Sequence, residues 1–210
     1  MLLNRIGIQT NSNQRVWIFN DVIQSVNIRN RAKVDPQKPT FGIIAAEGSF
    51  VFKDTEKRFA KYCQDGEVGT NNEVFIHLYD TITNKHQTIA RLKTQRWDFD
   101  ADTYTMTVTL RDDIEDLQEI EVNDTSTSIE LAQNPMTALE LYNYIREKTP
   151  SNYLFETLSE DVQNLLSSIV ITYAYLQAGS LWGYYEDICQ LALLYMYKTT
   201  DGKIKLDIIR

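Results

Sequence analysis

Glu73-Val-Phe-Ile-His-Leu-Tyr79, Thr88-Ile-Ala-Arg-Leu-Lys-Thr94 and Thr103-Tyr-Thr-Met-Thr-Val-Thr-Leu110 are three runs in which apolar and polar residues alternate. A period of two sends successive side chains to opposite faces of a strand, so one face can be buried while the other meets water. Between the first two runs, Asp80-Thr-Ile-Thr-Asn84 supplies the Asx and Thr side chains that turn a backbone. A break is expected near Trp97-Asp-Phe-Asp-Ala-Asp102, before the third run. In that run Tyr104, Met106, Val108 and Leu110 share one face and threonines line the other. The pattern is that of an antiparallel meander packed on one side. The rest of the first half must close a barrel or sandwich around it.

Upstream of the meander, Arg5–Gln9 and Arg15–Phe19 read as strands joined by the polar loop Thr10-Asn-Ser-Asn13, and Val22–Arg29 as another strand after an Asn20-Asp21 turn. Arg31–Thr40, with two prolines and four charges, reads as an exposed loop. Phe41–Phe52 is a strand with Ile44, Ala46, Phe50 and Phe52 on one face, and Gly48 marks a bulge within it. Asp54–Tyr62 has the makings of a short helix, with Asp54 as its cap, Glu56 in its first turn and Phe59 and Tyr62 facing inward. Cys63–Asn72 is a loop leading into the meander.

Downstream, the periodicity changes. Ile114, Leu117 and Ile120 fit a helical turn or an exposed connector, and the polar Asn123–Ser128 reads as a linker, which puts a domain boundary near Val122. Asn134 is the expected cap of a helix that opens on Pro135 and carries Met136, Leu139, Tyr142 and Ile145 at helical spacing to about Lys148, where Thr149-Pro150 ends it. Ser159, followed by Glu160 and Asp161, starts a short helix to about Leu166, and the β-branched and aromatic Ser168–Leu176 reads as a strand. Ser180 caps a further helix with a Tyr185, Ile188, Cys189, Ala192 stripe. Tyr195–Thr199 and Lys203–Ile209 flank Thr200-Asp201-Gly202, a hairpin signal. The expected fold class is therefore α+β: residues 1–122 as an antiparallel β-barrel domain and 123–210 as a smaller mixed α/β domain.

Composition narrows the function classes. A chain of 210 residues with 43% hydrophobic and 24% charged residues has enough apolar material for real cores. Its net charge of -8 argues against binding nucleic acid or an anionic membrane without base or headgroup specificity, because both need a basic surface. Local basic patches remain open, for example Arg29, Arg31 and Lys33. No apolar run reaches the roughly 18 residues of a membrane span, and Met1-Leu-Leu-Asn-Arg5 lacks the pattern of a signal peptide. Cys63 and Cys189, far apart in sequence, read as buried free thiols of a protein folded under reducing conditions.

Chemistry-bearing residues are sparse. His77 and His86 flank one hairpin, but no Cys or His spacing completes a metal set, so they read as a polar strand position and a loop residue. Asp98, Asp100 and Asp102 resemble the start of a calcium loop, but Thr103 and Thr109 stand where its glycine and bidentate glutamate belong, which leaves a solvated turn. Asp112, Asp113, Glu115, Asp116, Glu119 and Glu121 form an acidic run that reads as a water-facing surface, the functional alternative being docking to a basic partner. The nucleophile-elbow, phosphate-loop and dinucleotide fingerprints are missing. The many tyrosines serve strands and cores, or else form an aromatic binding face. No residue is assigned to catalysis, to a cofactor or to a metal, and folding is expected to need neither metal nor cofactor.

Four stretches carry a resemblance: Phe41-Gly-Ile-Ile-Ala-Ala-Glu-Gly-Ser-Phe-Val-Phe-Lys-Asp54; Val74-Phe-Ile-His-Leu-Tyr-Asp80 through Leu110-Arg-Asp-Asp113; Asn134-Pro-Met-Thr-Ala-Leu-Glu-Leu-Tyr142; and Ser180-Leu-Trp-Gly-Tyr-Tyr-Glu-Asp-Ile-Cys-Gln-Leu-Ala192 followed by Thr200-Asp-Gly-Lys-Ile-Lys-Leu206. In this order they resemble the baseplate-hub or tail-hub proteins of long-tailed bacteriophages. The resemblance implies a structural virion protein of the tail, made in the host bacterial cytoplasm, that links the tail tube to the central spike or tail tip. It implies a first β-barrel, an α/β domain and a second barrel, assembly with other copies of itself as a trimer in the full hub, contacts with tube and spike or tip proteins, and no enzyme activity. It implies no nucleic-acid partner and no membrane insertion by this segment. The sequence ends just past the hairpin, so either a front portion of a longer hub or a shortened relative is expected, and the isolated chain should be monomeric or weakly self-associating. The rival reading is a receptor- or carbohydrate-binding module of the tail tip that stacks sugars on Trp97 or Trp182; a wall-degrading hydrolase is a more distant one, and would need two facing carboxylates in a cleft. Trp182 and Tyr185 are expected to pack the last helix onto the strands at Ser168–Leu176 and Lys203–Ile209.

Overall fold

A computed structural model describes residues 2–32, 42–122, 135–172 and 179–208. The fold is mixed α+β and mostly strand, and in its large sheet antiparallel ladders predominate while one late strand joins an early one in parallel. The chain divides into two compact units, one of residues 1–31 and 46–113, the other of residues 32–45 and 114–210. The sequence suggested a division near Val122. The units part earlier, at Asp113 and Ile114, because Ile114 and Leu117 are fully buried in the core of the second unit.

The first unit contains β1 (Leu2–Gln9), β2 (Arg15–Phe19), β3 (Ile23–Ala32), most of β4 (Gly42–Lys53), α1 (Arg58–Gln64), β5 (Glu73–Asp80), β6 (Lys85–Asp100) and β7 (Thr105–Arg111). The ladders run β3, β4, β7, β6, β5, β1, β2. Alternation does what the sequence demands: Val74 and Ile76 of β5 and Met106, Val108 and Leu110 of β7 are buried, with Ile6, Ile8, Ile18, Phe50 and Phe52, in one core. Burying each such side chain contributes about 1.5–3 kcal/mol.

The meander's turns are made by local polar chemistry. The Asp80 carboxylate accepts from the Ile82 N–H and the Thr83 hydroxyl, and Asn84 takes a left-handed φ of 53°. The expected break near Trp97 does not occur: β6 continues to Asp100, helped by a register shift between Thr94 and Arg96 that absorbs the bend. The turn falls at residues 101–104 instead, where Asp100 accepts from the Asp102 N–H and the Thr103 hydroxyl. Tyr104 accordingly leaves the buried face; it sits in the turn at φ 51° and is exposed.

Two further expectations fail for non-local reasons. In β4 the buried residues are Ile43, Ala45, Phe50 and Phe52, not Ile44 and Ala46 at its start, because the strand serves two cores: Ile43 and Ala45 belong to the second unit's, Phe50 and Phe52 to the first's. Against β7 Gly48 makes no bulge, since its register with Leu110 is continuous with its neighbours'. A side chain there would instead meet the Asn27 carbonyl oxygen 2.5 Å away. The short helix also starts later than expected, at Arg58, behind Lys57 in a left-handed conformation. Asp54 still serves its N-terminus: the buried carboxylate accepts from the Ala60 N–H at 2.9 Å.

Among the described residues no ladder closes the first unit into the expected barrel. β2 and β3 stand at the two ends of the strand order although only Asn20, Asp21 and Val22 separate them in the chain. A groove lies between β2 and the end of β4 with α1, so β2 keeps one unpaired edge.

The second unit contains all but the first residue of a 3-10 turn (Asp113–Gln118), β8 (Glu121–Val122), β9 (Met136–Thr137), α2 (Ala138–Lys148), α3 (Glu160–Ser168), β10 (Val170–Ile171), β11 (Gly179–Ser180), α4 (Leu181–Ala192), β12 (Leu194–Lys198) and β13 (Ile204–Ile208). The β12–β13 hairpin turns at Gly202, φ 81°, and β12 pairs in parallel with Gly42–Ile44. The α4 stripe is buried as read, with Ser180 as its cap, and Trp182 and Tyr185 are buried with it. α2 starts three residues later than expected: Thr137 and Glu140 form a reciprocal capping box, Glu140 N–H to the Thr137 hydroxyl and Thr137 N–H to the Glu140 carboxylate. The expected strand at Ser168–Leu176 is two residues long where described, because α3 runs on to Ser168. Of the loop expected at Arg31–Thr40, Arg31 and Ala32 instead continue β3, while residues 33–40, Asn134, the linker at 123–128 and residues 173–176 lie outside the described residues.

Candidate interaction surface

The titratable groups singled out in the sequence are not brought together. His77 sits half-buried on β5 with its ring 5.3 Å from that of Trp17, and burial, then Arg5 and Arg15, hold its pKa below the usual histidine value. His86 instead faces Tyr79 across the hairpin. Cys189 is wholly buried, and burial pushes its thiol up to about 12. Cys63 is half-buried and also raised, by burial and by Asp54. Among the described residues no group of three His, Cys, Asp or Glu side chains is placed to hold a metal ion. Asp98 pairs with Arg96 at 2.8 Å while Asp100 shapes its turn. The acidic run is only partly a water-facing surface: Asp112 is buried and accepts from the Ala46 N–H, and Asp113 pairs with Lys93 at 3.2 Å. Of the basic patch, Arg29 pairs with Glu47 at 3.2 Å.

A different cluster does converge. Arg5 and Gly7 of β1, Arg15 and Trp17 of β2, Glu73 and Phe75 of β5 and Arg91 of β6 lie on the side away from the core, and the register sets Gly7 between Trp17 and Phe75. Gly7 is required there: a Cβ would fall 2.7 Å from the Trp17 ring. Over this aromatic pair lie cations. The Arg5 guanidinium is 4.1 Å from the Trp17 centroid, and that of Arg15 is 5.6 Å from Trp17 and 4.1 Å from Phe75. Arg91 lies 5.3 Å from Phe75 and is held by Glu73 at 2.6 Å. Arg5 and Arg15 pair with no carboxylate among the described residues, and the Arg5 Nε is buried without a partner. Stacking on a ring fixes a guanidinium in place while leaving its N–H edge open to an acceptor. The sequence reading missed this cluster. Its signal was present in Arg5-Ile-Gly7 and Arg15-Val-Trp17, but it takes the strand register to superpose them.

Beside this face runs the groove, of about 570 Å³, lined on one side by all of β2 and on the other by Phe52, Asp54, Phe59 and Tyr62 among others. The tryptophans named as stacking platforms are not available for it. Trp182 is 7% exposed, and half-buried Trp97 donates its indole N–H to the Gly69 carbonyl at 2.8 Å.

The architecture is that of a two-unit, strand-rich α+β protein, and solved structures of this kind exist. No family model matches the chain, and no curated protein sequence does. Among solved structures, the chain is similar over its whole length to a 43 kDa tail protein of prophage MuSo2 from Shewanella oneidensis, with a TM-score of 0.57 and 8% identity, covering 57% of that chain. It is also similar over 96% of its length to a tail protein from Neisseria meningitidis MC58, with a TM-score of 0.54 and 10% identity, covering 49% of that chain. At these identities the likeness is one of fold, and the chain spans about half the length of the tail proteins it matches. No helix among the described residues is long and apolar enough to cross a membrane.

Proposed function

We propose that the chain is a structural component of a bacteriophage tail, and within it a baseplate-hub subunit joining the tail tube to the spike or tip. The observation that carries this reading is the likeness of fold to two tail proteins, one of them of a prophage, along essentially the whole chain. The first unit then acts as a barrel wall with an open seam, the second as the α/β domain that follows it, and neither performs chemistry. Partners are other tail subunits, with a three-fold hub as the assembly. The tail-tip sugar-binding reading is the weaker one, since it needs a free aromatic platform at Trp97 or Trp182 and both are engaged.

Purified virions of the phage or prophage that encodes the chain test this. Cross-linking followed by mass spectrometry should place peptides of this sequence next to tube or spike subunits, and deleting the gene should yield particles with defective tails. A gene product absent from purified virions, with normal tails in the deletion, refutes the reading.

A further inference from the structure

The hydrogen-bonding parity of β2 fixes which of its backbone groups are open. The Thr10 N–H donates to the Gln14 carbonyl at 2.8 Å, and the β1–β2 register continues from this pair without a shift. Hydrogen-bonded and non-bonded pairs alternate along an antiparallel ladder. Val16 and Ile18 therefore direct their backbone groups to β1, while those of Arg15 and Trp17 point away from it. Among the described residues no strand pairs on that side. Next to this edge stands the groove with Phe52, Phe59 and Tyr62 in its wall, and on the outward face stand Arg5 and Arg15, stacked on aromatic rings and without a carboxylate partner.

We propose that β2 is a strand-acceptor edge, and that its occupant is an extended segment of a partner protein in which apolar and acidic residues alternate. The added strand pairs with the backbone of Arg15 and Trp17. Side chains opposite Val16 and Ile18 face the groove and must be apolar; those opposite Arg15 and Trp17 share the outward face and carry the carboxylates. Main-chain bonds supply affinity in this mode and the two faces supply specificity. The charge sign argues for acid: among the described residues the two preoriented guanidiniums meet no carboxylate, so a basic segment would meet repulsion at this face and an acidic one bidentate N–H donors. The inference rests on the proposed role in assembly and names the edge and the chemistry of what it takes.

The test uses the full chain labelled for NMR and four probes: a capped peptide alternating valine and glutamate, its valine–lysine counterpart, the valine–glutamate peptide N-methylated on alternate residues, and an oligothymidylate. The valine–glutamate peptide should bind, shift the amides of Arg15 and Trp17 and slow their hydrogen exchange. The lysine peptide should bind about tenfold more weakly or worse, the loss expected from one charge-assisted contact. N-methylation should abolish binding. In Arg15→Glu, once its amide spectrum shows the native fold, the preference should move toward the lysine peptide; Arg15→Gln, which removes the charge alone, should abolish the preference for the glutamate peptide. No binding by the valine–glutamate peptide, equal binding of both charge types, binding that leaves the Arg15 and Trp17 amides unchanged, or preference for the oligonucleotide each overturns the proposal. Peptide binding by a chain absent from virions would leave the edge standing and remove the tail role; a virion subunit that ignores the peptides does the reverse.

Discussion

Replacing Gly48 by alanine should destabilise the protein, against the usual sign of a glycine-to-alanine change. Gly48 lies in the middle of β4 and its φ is not left-handed, so backbone strain does not enter. On conformational entropy alone the alanine would stabilise by about 0.4–1 kcal/mol. Space decides otherwise. The new Cβ would stand 2.5 Å from the Asn27 carbonyl oxygen, and 3.1 Å from the Ile28 Cα, where ordinary contact begins near 3.4 Å. The obstacle is backbone of β3, held in the sheet, and cannot swing aside as a side-chain end can. Overpacking of this kind costs about 1–3 kcal/mol or more. The net expectation is a loss of about 1–2 kcal/mol, which for a chain of this size lowers the melting midpoint by roughly 2–8 °C. Urea unfolding and calorimetry read both quantities. The control is Gly69→Ala, where nothing lies within 4 Å of the added carbon and the change should be neutral or slightly stabilising. If the two variants melt together, the close approach of β3 and β4 is not what Gly48 is for.

Other perturbations follow from the same contacts. Tyr185→Phe removes the 2.7 Å bond between the tyrosine and Thr149 hydroxyls and should cost about 0.5–1.5 kcal/mol in a urea titration, while Trp182→Ala, emptying a buried site, should cost about 3–5 kcal/mol. Thr137→Ala breaks the α2 capping box and should cost about 1 kcal/mol, with loss of amide protection confined to the first turn of that helix. His77 has a folded pKa below its unfolded value near 6.5, so below that pH the unfolded chain takes up a proton the folded chain refuses; stability should fall as pH drops from about 6.5 toward the folded pKa, and His77→Gln should flatten that part of the profile. Cys189, with a thiol pushed up to about 12 and no exposed surface, should resist iodoacetamide until the protein unfolds, whereas half-buried Cys63 should react first.

What the sequence made legible was local. The hairpins at Asp80–Asn84 and Thr200–Gly202 could be read because the side chains that make each turn lie within it. The α4 stripe could be read because helical spacing and the Ser180 cap agree. Local signals also misled where two competed. Asp98 has turn chemistry, yet the pairing of β6 with β7 carries the strand through it to Asp100, whose carboxylate makes the turn. Asn134-Pro135 looks like a helix start, yet the reciprocal Thr137–Glu140 bonds lie three residues on. The surface of Arg5, Arg15 and Trp17 was invisible because it exists only in register, and the buried face of β4 was misassigned because half of it answers to a strand far along the chain.

That last pairing sets a clock on synthesis. Ile43 finds its parallel neighbour at Met196 in β12, so about 150 residues must be made before that ladder can form, roughly 8–30 s at bacterial elongation rates. Phe50 and Phe52, a few residues later, can pair with β7 in under half that time. Ile43 and Ala45 thus emerge early and wait for the rest of their core, which runs from Ile114 to Leu206, as uncovered apolar side chains on a nascent chain of the kind that chaperones bind. Stalling between residues 115 and 190 should leave a first unit close to native and this short stretch exposed to whatever is nearby.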